Sequence, residues 1–384
     1  MSSECCSNSS AHTSKSRTSK NAHLFYDVQN KKLRFYDATS KLRYFIVLHP
    51  YSDSSTDLAP PALTTLASLN PNLTHLHLDF CGRLTCPVIT AFSESLPNLT
   101  HLNLLGPFLV RAEAWIEFFK AKPELRSFRI TQSPRFDLEC VKSLAKNCTK
   151  LEELQLKEVG HLGNTFVEPL CALPPLKLLD LSNPGASILE NGWLQILERH
   201  GPRLESFDPS WHDEFTDVVL ENGIWKHGRV VSELKLEGLS SLSDEGVAHF
   251  FENWNKPFPT LDSEASESEM DVEVDECGTF TPNPPLRTVS LARNRALSNA
   301  TFTALLAHSA PSLVFLNLNG LGAISSESLE RLKDVSDLRW LDMSWCRDLD
   351  DFMMKDVVSN APKLGEVRVW GCNRVRGKGW AGKV

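Results

Sequence analysis

LNPNLTHLHLDFCGRL (Leu69–Leu84) is the stretch that decides the fold. Within it Leu73, Leu76 and Leu78 follow an apolar-x-x-apolar-x-apolar pattern, which reads as a short strand with one buried face. The pattern returns as Leu99-Leu102-Leu104, Leu125-Phe128-Ile130, Leu151-Leu154-Leu156 and Leu176-Leu179-Leu181. It continues weakly at Leu204-Phe207, then at Val231-Leu234-Leu236, Leu286-Val289-Leu291, Leu313-Leu316-Leu318, Leu338-Leu341-Met343 and Leu364-Val367-Val369. The steps between first positions are 26, 26, 26, 25, 28, 27, 55, 27, 25 and 26. A period that constant marks a repeat architecture of the leucine-rich kind.

Each unit reads as a strand followed by an amphipathic helix. The clearest helices are expected at Pro87–Leu96, Ala112–Ala121, Leu138–Asn147, Glu245–Trp254, Ala300–His308 and Asp351–Asn360. Asp137, Asp244, Asn299 and Asp350 precede or open four of them, where a side-chain oxygen caps orphan N–H groups. No single repeat hides its leucines alone, so the units must stack. The predicted fold is an α/β leucine-rich-repeat solenoid. It is a right-handed β-α superhelix, ribonuclease-inhibitor-like, with one curved parallel sheet and outer helices. Cys81, Cys346 and Cys372 each follow the last strand residue by three, as in the cysteine-containing repeat subtype. There the thiol acts as a small apolar residue under the strand-to-helix turn.

The step of 55 equals one repeat plus about one repeat of extra chain. Between Pro257 and Leu286 lie eight acids (Asp262, Glu264, Glu267, Glu269, Asp271, Glu273, Asp275, Glu276) and no Lys or Arg. The formal charge of −8 is therefore local to this stretch, and the rest of the chain is neutral. Such a composition buries too little apolar surface to order itself, so an acidic disordered insertion is expected at 257–285. Ser266 and Ser268 each have an acid three residues later and are phosphorylation candidates. The remaining organisation is expected to be a disordered polar tail at 1–22, an N-terminal capping region at 23–72 and the solenoid at 73–384. Residues 41–57 read as an insertion in the capping region.

No stretch approaches the ~20 apolar residues of a membrane helix, and residues 1–20 lack a secretory signal. A soluble intracellular protein is expected. The ten cysteines form no CxxC pair, so neither a zinc site nor a disulfide framework is indicated. Gly371…Gly377-Lys378-Gly379 lacks phosphate-loop spacing, and no Gly-x-Ser-x-Gly elbow occurs. No cofactor, metal or small-molecule substrate is expected, and the chain reads as a non-enzymatic binding scaffold. His75 and His101 should be neighbours on adjacent strands, with His77 nearby. A partial metal site is one reading. A solvated ladder is the stronger one, because no carboxylate or thiolate joins them.

The last repeats concentrate Arg339, Trp340, Trp345, Arg368, Trp370, Arg374, Arg376 and Lys378. Trp and Arg are enriched at interaction hot spots, so these are the partner-binding candidates. The competing reading has the tryptophans capping the open end of the sheet. The basic tail is also a candidate for contact with phosphate, and so with DNA.

Several segments are more specific than the repeat. They are Asn21–Asp27, Phe35–Thr39, Leu69–Leu84, LLGPFLVRAEAW (Leu104–Trp115), ITQSPRFDLECV (Ile130–Val141), LKEVG (Leu156–Gly160) and VWGCNRVRGKGW (Val369–Trp380). Through them the chain resembles the fungal Rad-seven family of leucine-rich-repeat proteins in global-genome nucleotide excision repair. The resemblance runs from about Asn21 to the C-terminus. It implies a nuclear damage-recognition subunit that pairs with a Swi/Snf-type DNA-translocating ATPase and joins a cullin–elongin-type ubiquitin ligase; a cytoplasmic location is the other possibility. The family's longer N-terminal region, which carries the adaptor site, is expected to be missing here. The alternative is a substrate receptor of an F-box/cullin-type ligase, which shares the repeat subtype but would need a helical F-box that residues 1–60 do not show.

Overall fold

A strand with leucine at alternate positions must lay that face against something, and here each meets the equivalent face of the next repeat. The computed structural model describes residues 23–27, 32–36, 42–47, 59–79, 81–160, 162–258, 283–321 and 324–377. Strands β1 (His23–Asp27) and β2 (Lys32–Tyr36) pair antiparallel. Twelve further strands form one parallel sheet in unbroken chain order. They are β3 (Tyr44–Val47), β4 (His75–Leu78), β5 (His101–Leu105), β6 (Ser127–Thr131), β7 (Glu153–Lys157), β8 (Leu178–Asp180), β9 (Ser206–Asp208), β10 (Glu233–Lys235), β11 (Thr288–Ser290), β12 (Phe315–Asn317), β13 (Trp340–Asp342) and β14 (Glu366–Arg368). The repeat leucines stack in register, Leu76 beside Leu102, Leu102 beside Phe128 and Phe128 beside Leu154. They are fully buried in one continuous core. Helices ~10 Å wide packed behind strands ~4.8 Å apart force the sheet to curve, with its free face on the inside.

Helices α1 (Pro60–Leu69), α2 (Cys86–Ser95), α3 (Ala112–Ala121) and α4 (Leu138–Asn147) lie side by side on the outer face. Short α5 (Val167–Cys171), α6 (Glu190–His200), α7 (Asp217–Val219), α8 (Asp244–Asn253), α9 (Asn299–Ser309), α10 (Ser326–Leu329) and α11 (Asp351–Asn360) continue the row. Asp137 and Asp350 cap as expected, accepting from the Cys140 and Met353 amides. Asp244 and Asn299 do not. Ser243 and Ser298 hold the cap positions, and the two expected caps turn to the following repeat. Asp244 accepts from Ser298 and Thr301, and Asn299 from the Ser325 amide at 2.8 Å. Asp217 does the same for Ser243. The first residue of one helix thus fixes the cap of the next, which couples neighbouring repeats.

A second column crosses the repeats beneath the turns. The Cys346 thiol donates to the Leu318 carbonyl at 3.5 Å and Cys372 to that of Met343 at 3.2 Å, each in the repeat before. Asn294 and His212 occupy the same position, reaching back to the carbonyls of Leu236 and Leu181. Burial pushes the Cys346 thiol up to about 12, so it is inert packing with a weak donor.

One boundary lies elsewhere than the repeat count placed it. β3 falls inside the stretch read as an insertion at 41–57 and pairs in parallel with β4. Leu42-Phe45-Val47 has the repeat's own spacing, and Phe45 is buried, but the step from Leu42 to Leu73 is 31 rather than 25–28. The tail at 1–22 and most of the acidic insertion, including Ser266 and Ser268, lie outside the described residues.

Candidate functional site

The inward leucines leave the other face of each strand as the solvated floor of the solenoid. At its C-terminal end Phe315 and Trp340 are register partners on β12 and β13. Their rings stack with centroids 4.0 Å apart and planes 4° from parallel. The Arg368 guanidinium from β14 lies 5.1 Å from the Trp340 ring centre, held by Glu366 at 2.7 Å. An aromatic–aromatic–cation stack therefore spans the last three strands. Trp345 and Trp370 stand where their strands give way to loops and are 55% and 74% exposed, too open for either to be a buried cap. The Trp345 amide donates to the Trp370 carbonyl at 2.6 Å, and the Trp370 amide to the Ser344 hydroxyl at 3.0 Å. Arg374 reaches Asp348 at 3.7 Å, and Asp351 accepts from the Arg376 amide at 3.0 Å.

Of the sequence candidates, Trp340, Trp345, Arg368 and Trp370 thus share one end of the floor and its rim. Arg374 and Arg376 follow in the terminal loop. Arg339 sits at the opposite, entry edge of β13, where its carbonyl receives the Gly365 and Glu366 amides. Lys378 lies outside the described residues. Phe315 was missed. It precedes its repeat's second apolar position, as Trp340 does, so the period itself carried the signal.

Carboxylates on the floor, at β8, β9 and β13, serve the backbone. Asp180, Asp208 and Asp342 each accept from the amide two residues on, at Ser182, Ser210 and Ser344. This Asx turn ends the strand. Burial, then the neighbouring Asp208, raises the Asp180 carboxyl to about 6. Lys235 stands 3.5 Å from Asp208.

At the N-terminal end Tyr44, His75 and His101 form a ring ladder with centroids 4.2 and 3.9 Å apart. Each histidine Nδ1 bonds the Oγ1 of the threonine before it, Thr74 or Thr100. The rings lie 12° from parallel, so their remaining lone pairs run side by side rather than converging on one ion. Burial lowers His75 to about 4 and lowers His101 as well, so both are neutral near pH 7. Among the described residues no group of three His, Cys, Asp or Glu is placed to hold a metal ion. No described helix is long and apolar enough to cross a membrane.

No family model matches the chain. Two curated proteins are similar to it. It is 29% identical over 317 residues to the DNA repair protein rhp7 of Schizosaccharomyces pombe. It is 28% identical over 324 residues to the DNA repair protein RAD7 of Saccharomyces cerevisiae. Each alignment takes in 82% of this chain and 52% of the relative, so the chain spans about half the length of the curated relatives it matches. Among solved structures, Rad7 in the crystal structure of the yeast Rad7 and Elc1 complex superposes with a TM-score of 0.70 at 24% identity. The match covers 89% of this chain and 79% of that one, and the two share the leucine-rich-repeat fold.

Proposed function

We propose, from the likeness to the Rad7 and rhp7 repair proteins, that this chain is a non-enzymatic binding subunit of nucleotide excision repair. In this reading it acts in the nucleus, in damage recognition, and is linked to a ubiquitin ligase of the cullin–elongin type. The observation that carries the proposal is similarity to two DNA repair proteins over 82% of the chain. The Elc1 complex of the yeast neighbour supports the ligase link. The geometry agrees with a scaffold: the floor's buried carboxylates end strands, its N-terminal histidines stack on one another, and a cluster of exposed tryptophans and arginines stands at its C-terminal end. That end, with Trp340, Trp345, Arg368, Trp370, Arg374 and Arg376, is the proposed partner surface; Arg339, at the entry edge of β13, and Lys378, outside the described residues, stay partner-binding candidates by residue type.

Affinity capture of the tagged chain from its own cells, with mass spectrometry of what accompanies it, tests the reading. A Swi/Snf-type ATPase together with elongin and cullin components is the expected result. A Skp-type adaptor without the ATPase would replace the reading with the F-box-type receptor. Capture of neither would remove the repair assignment.

A further inference from the structure

From β5 to β14 one backbone position just beyond the strand has a positive φ; Gly106, Gln132, Glu158 and Asn183 hold it after β5 to β8, and from β9 onward large residues and glycines alternate there. Trp211, Gly238, Arg293, Gly320, Trp345 and Gly371 have φ of 69, 60, 65, 76, 64 and 73°. Each large residue rests on the glycine of the next repeat. A Cβ on Gly238 would come within 2.5 Å of the Trp211 ring, and one on Gly371 within 2.5 Å of the Trp345 ring. One on Gly320 would sit 3.5 Å from Arg293 Cδ. The backbone beneath is fixed, because the amides of Trp211, Arg293 and Trp345 donate to Glu237, Asn319 and Trp370 of the following repeats. Yet the side chains are open: Trp211 is 45% and Trp345 55% exposed, and Arg293 is exposed with no ion pair to another described residue. The rim therefore presents aromatic, cation, aromatic on β9, β11 and β13, two strand steps apart each time.

The spacing selects a ligand. Two steps of ~4.8 Å make ~9.6 Å between platforms. A polyproline II helix repeats every three residues at ~3.1 Å each, or ~9.3 Å per turn. A β-strand returns the same face every ~6.8 Å, and two α-helical turns rise ~10.8 Å. Neither keeps register over three platforms. Proline rings pack on tryptophan faces, as in known grooves for proline-rich segments, and an unpaired arginine takes a carboxylate. We propose that the row Trp211–Arg293–Trp345 docks a polyproline II segment bearing an acid three residues from a proline on each side. The inference goes beyond the repair reading. Only Trp345 is common to the two surfaces.

The test titrates the fluorescein-labelled peptide APPPEPPPA with the full chain and follows anisotropy, using APPPKPPPA as the control. Asparagine tolerates positive φ, so Trp211→Asn and Trp345→Asn leave the backbone in place, which an unchanged melting temperature checks. Each is expected to weaken the glutamate peptide by at least ~10-fold, a hot-spot effect. Arg293→Glu should abolish that binding and confer binding of the lysine peptide. The proposal is overturned if the glutamate peptide fails to bind at millimolar concentration, if the wild type binds the lysine peptide equally well, or if Trp211→Asn has no effect. Trp211 and Arg293 lie outside the proposed repair surface and the assay needs only the purified chain, so its failure and failure of the co-purification are separate events.

Discussion

His212 makes a sharp case for how this solenoid responds to acid. Its ring is fully buried, 4.8 Å centre to centre from the Trp193 indole. Nδ1 accepts from the Ile188 amide at 3.3 Å and Nε2 bonds the Leu181 carbonyl at 2.9 Å, so the neutral ring carries its proton on Nε2. Burial lowers it from 6.5 to about 4. The folded pKa is depressed for a base, so the unfolded chain binds the proton first as pH falls, and stability is lost from about 6.5 downward. At about pH 5 the loss is RT ln[(1 + 10^1.5)/(1 + 10^−1)], ~2 kcal/mol, rising to ~3.4 kcal/mol below the folded pKa. His200, also lowered to about 4, adds a loss of the same sign, whereas Asp180, raised to about 6, opposes both. The wild-type curve mixes these with His75, His101 and His308, which burial also lowers, so the difference from His212→Gln isolates one group. Glutamine brings a donor and an acceptor but no titrating proton. Urea unfolding followed by tryptophan fluorescence should show wild type losing ~2 kcal/mol more than His212→Gln between about pH 7.5 and about pH 5. Parallel curves for the two proteins would refute the reasoning, whatever the substitution costs at neutral pH.

Other substitutions probe other parts of the fold. Trp370→Ala should change stability by less than ~0.5 kcal/mol, since the side chain is 74% exposed; a loss of ~3 kcal/mol would make it a core cap and remove it from the binding surface. Asp244→Ala should cost ~1–2 kcal/mol by releasing the cap of α9, read as faster amide exchange at Ser298 and Thr301; unchanged exchange there would break the relay argument. Lys122, buried and donating to the Ser93 and Leu96 carbonyls, has its amine lowered to about 8. The unfolded chain keeps that proton longer, so stability should rise between about pH 8 and about pH 10.5. Lys122→Met should abolish the rise, and its persistence would assign it to another group.

The period was readable because eleven strands each hide apolar residues in the same places. What failed to read were features in which two adjacent residues share a role. Ser243-Asp244 and Ser298-Asn299 each offer two capping oxygens, and only the packing decides that serine caps its own helix while its neighbour serves the next. β3 escaped because a 31-residue step hides a correctly spaced triplet. At the C-terminal end, weighing residue type over register picked out Trp340 and passed over Phe315, its stacking partner.

The rim row was the least legible, for a physical reason. Gly238, Gly320 and Gly371 recur at every second repeat and mark a positive-φ position, but nothing in composition says that the residues between them adopt the same conformation. For Trp211, Arg293 and Trp345 that conformation costs ~1 kcal/mol or more each relative to glycine. Their rings and stem lie on the neighbouring glycines while much of each stays in solvent, so burial returns only part of the cost. Three costly, open, evenly spaced side chains on an amide ladder that cannot shift are more economically explained by something that lies across them than by the fold they slightly destabilise.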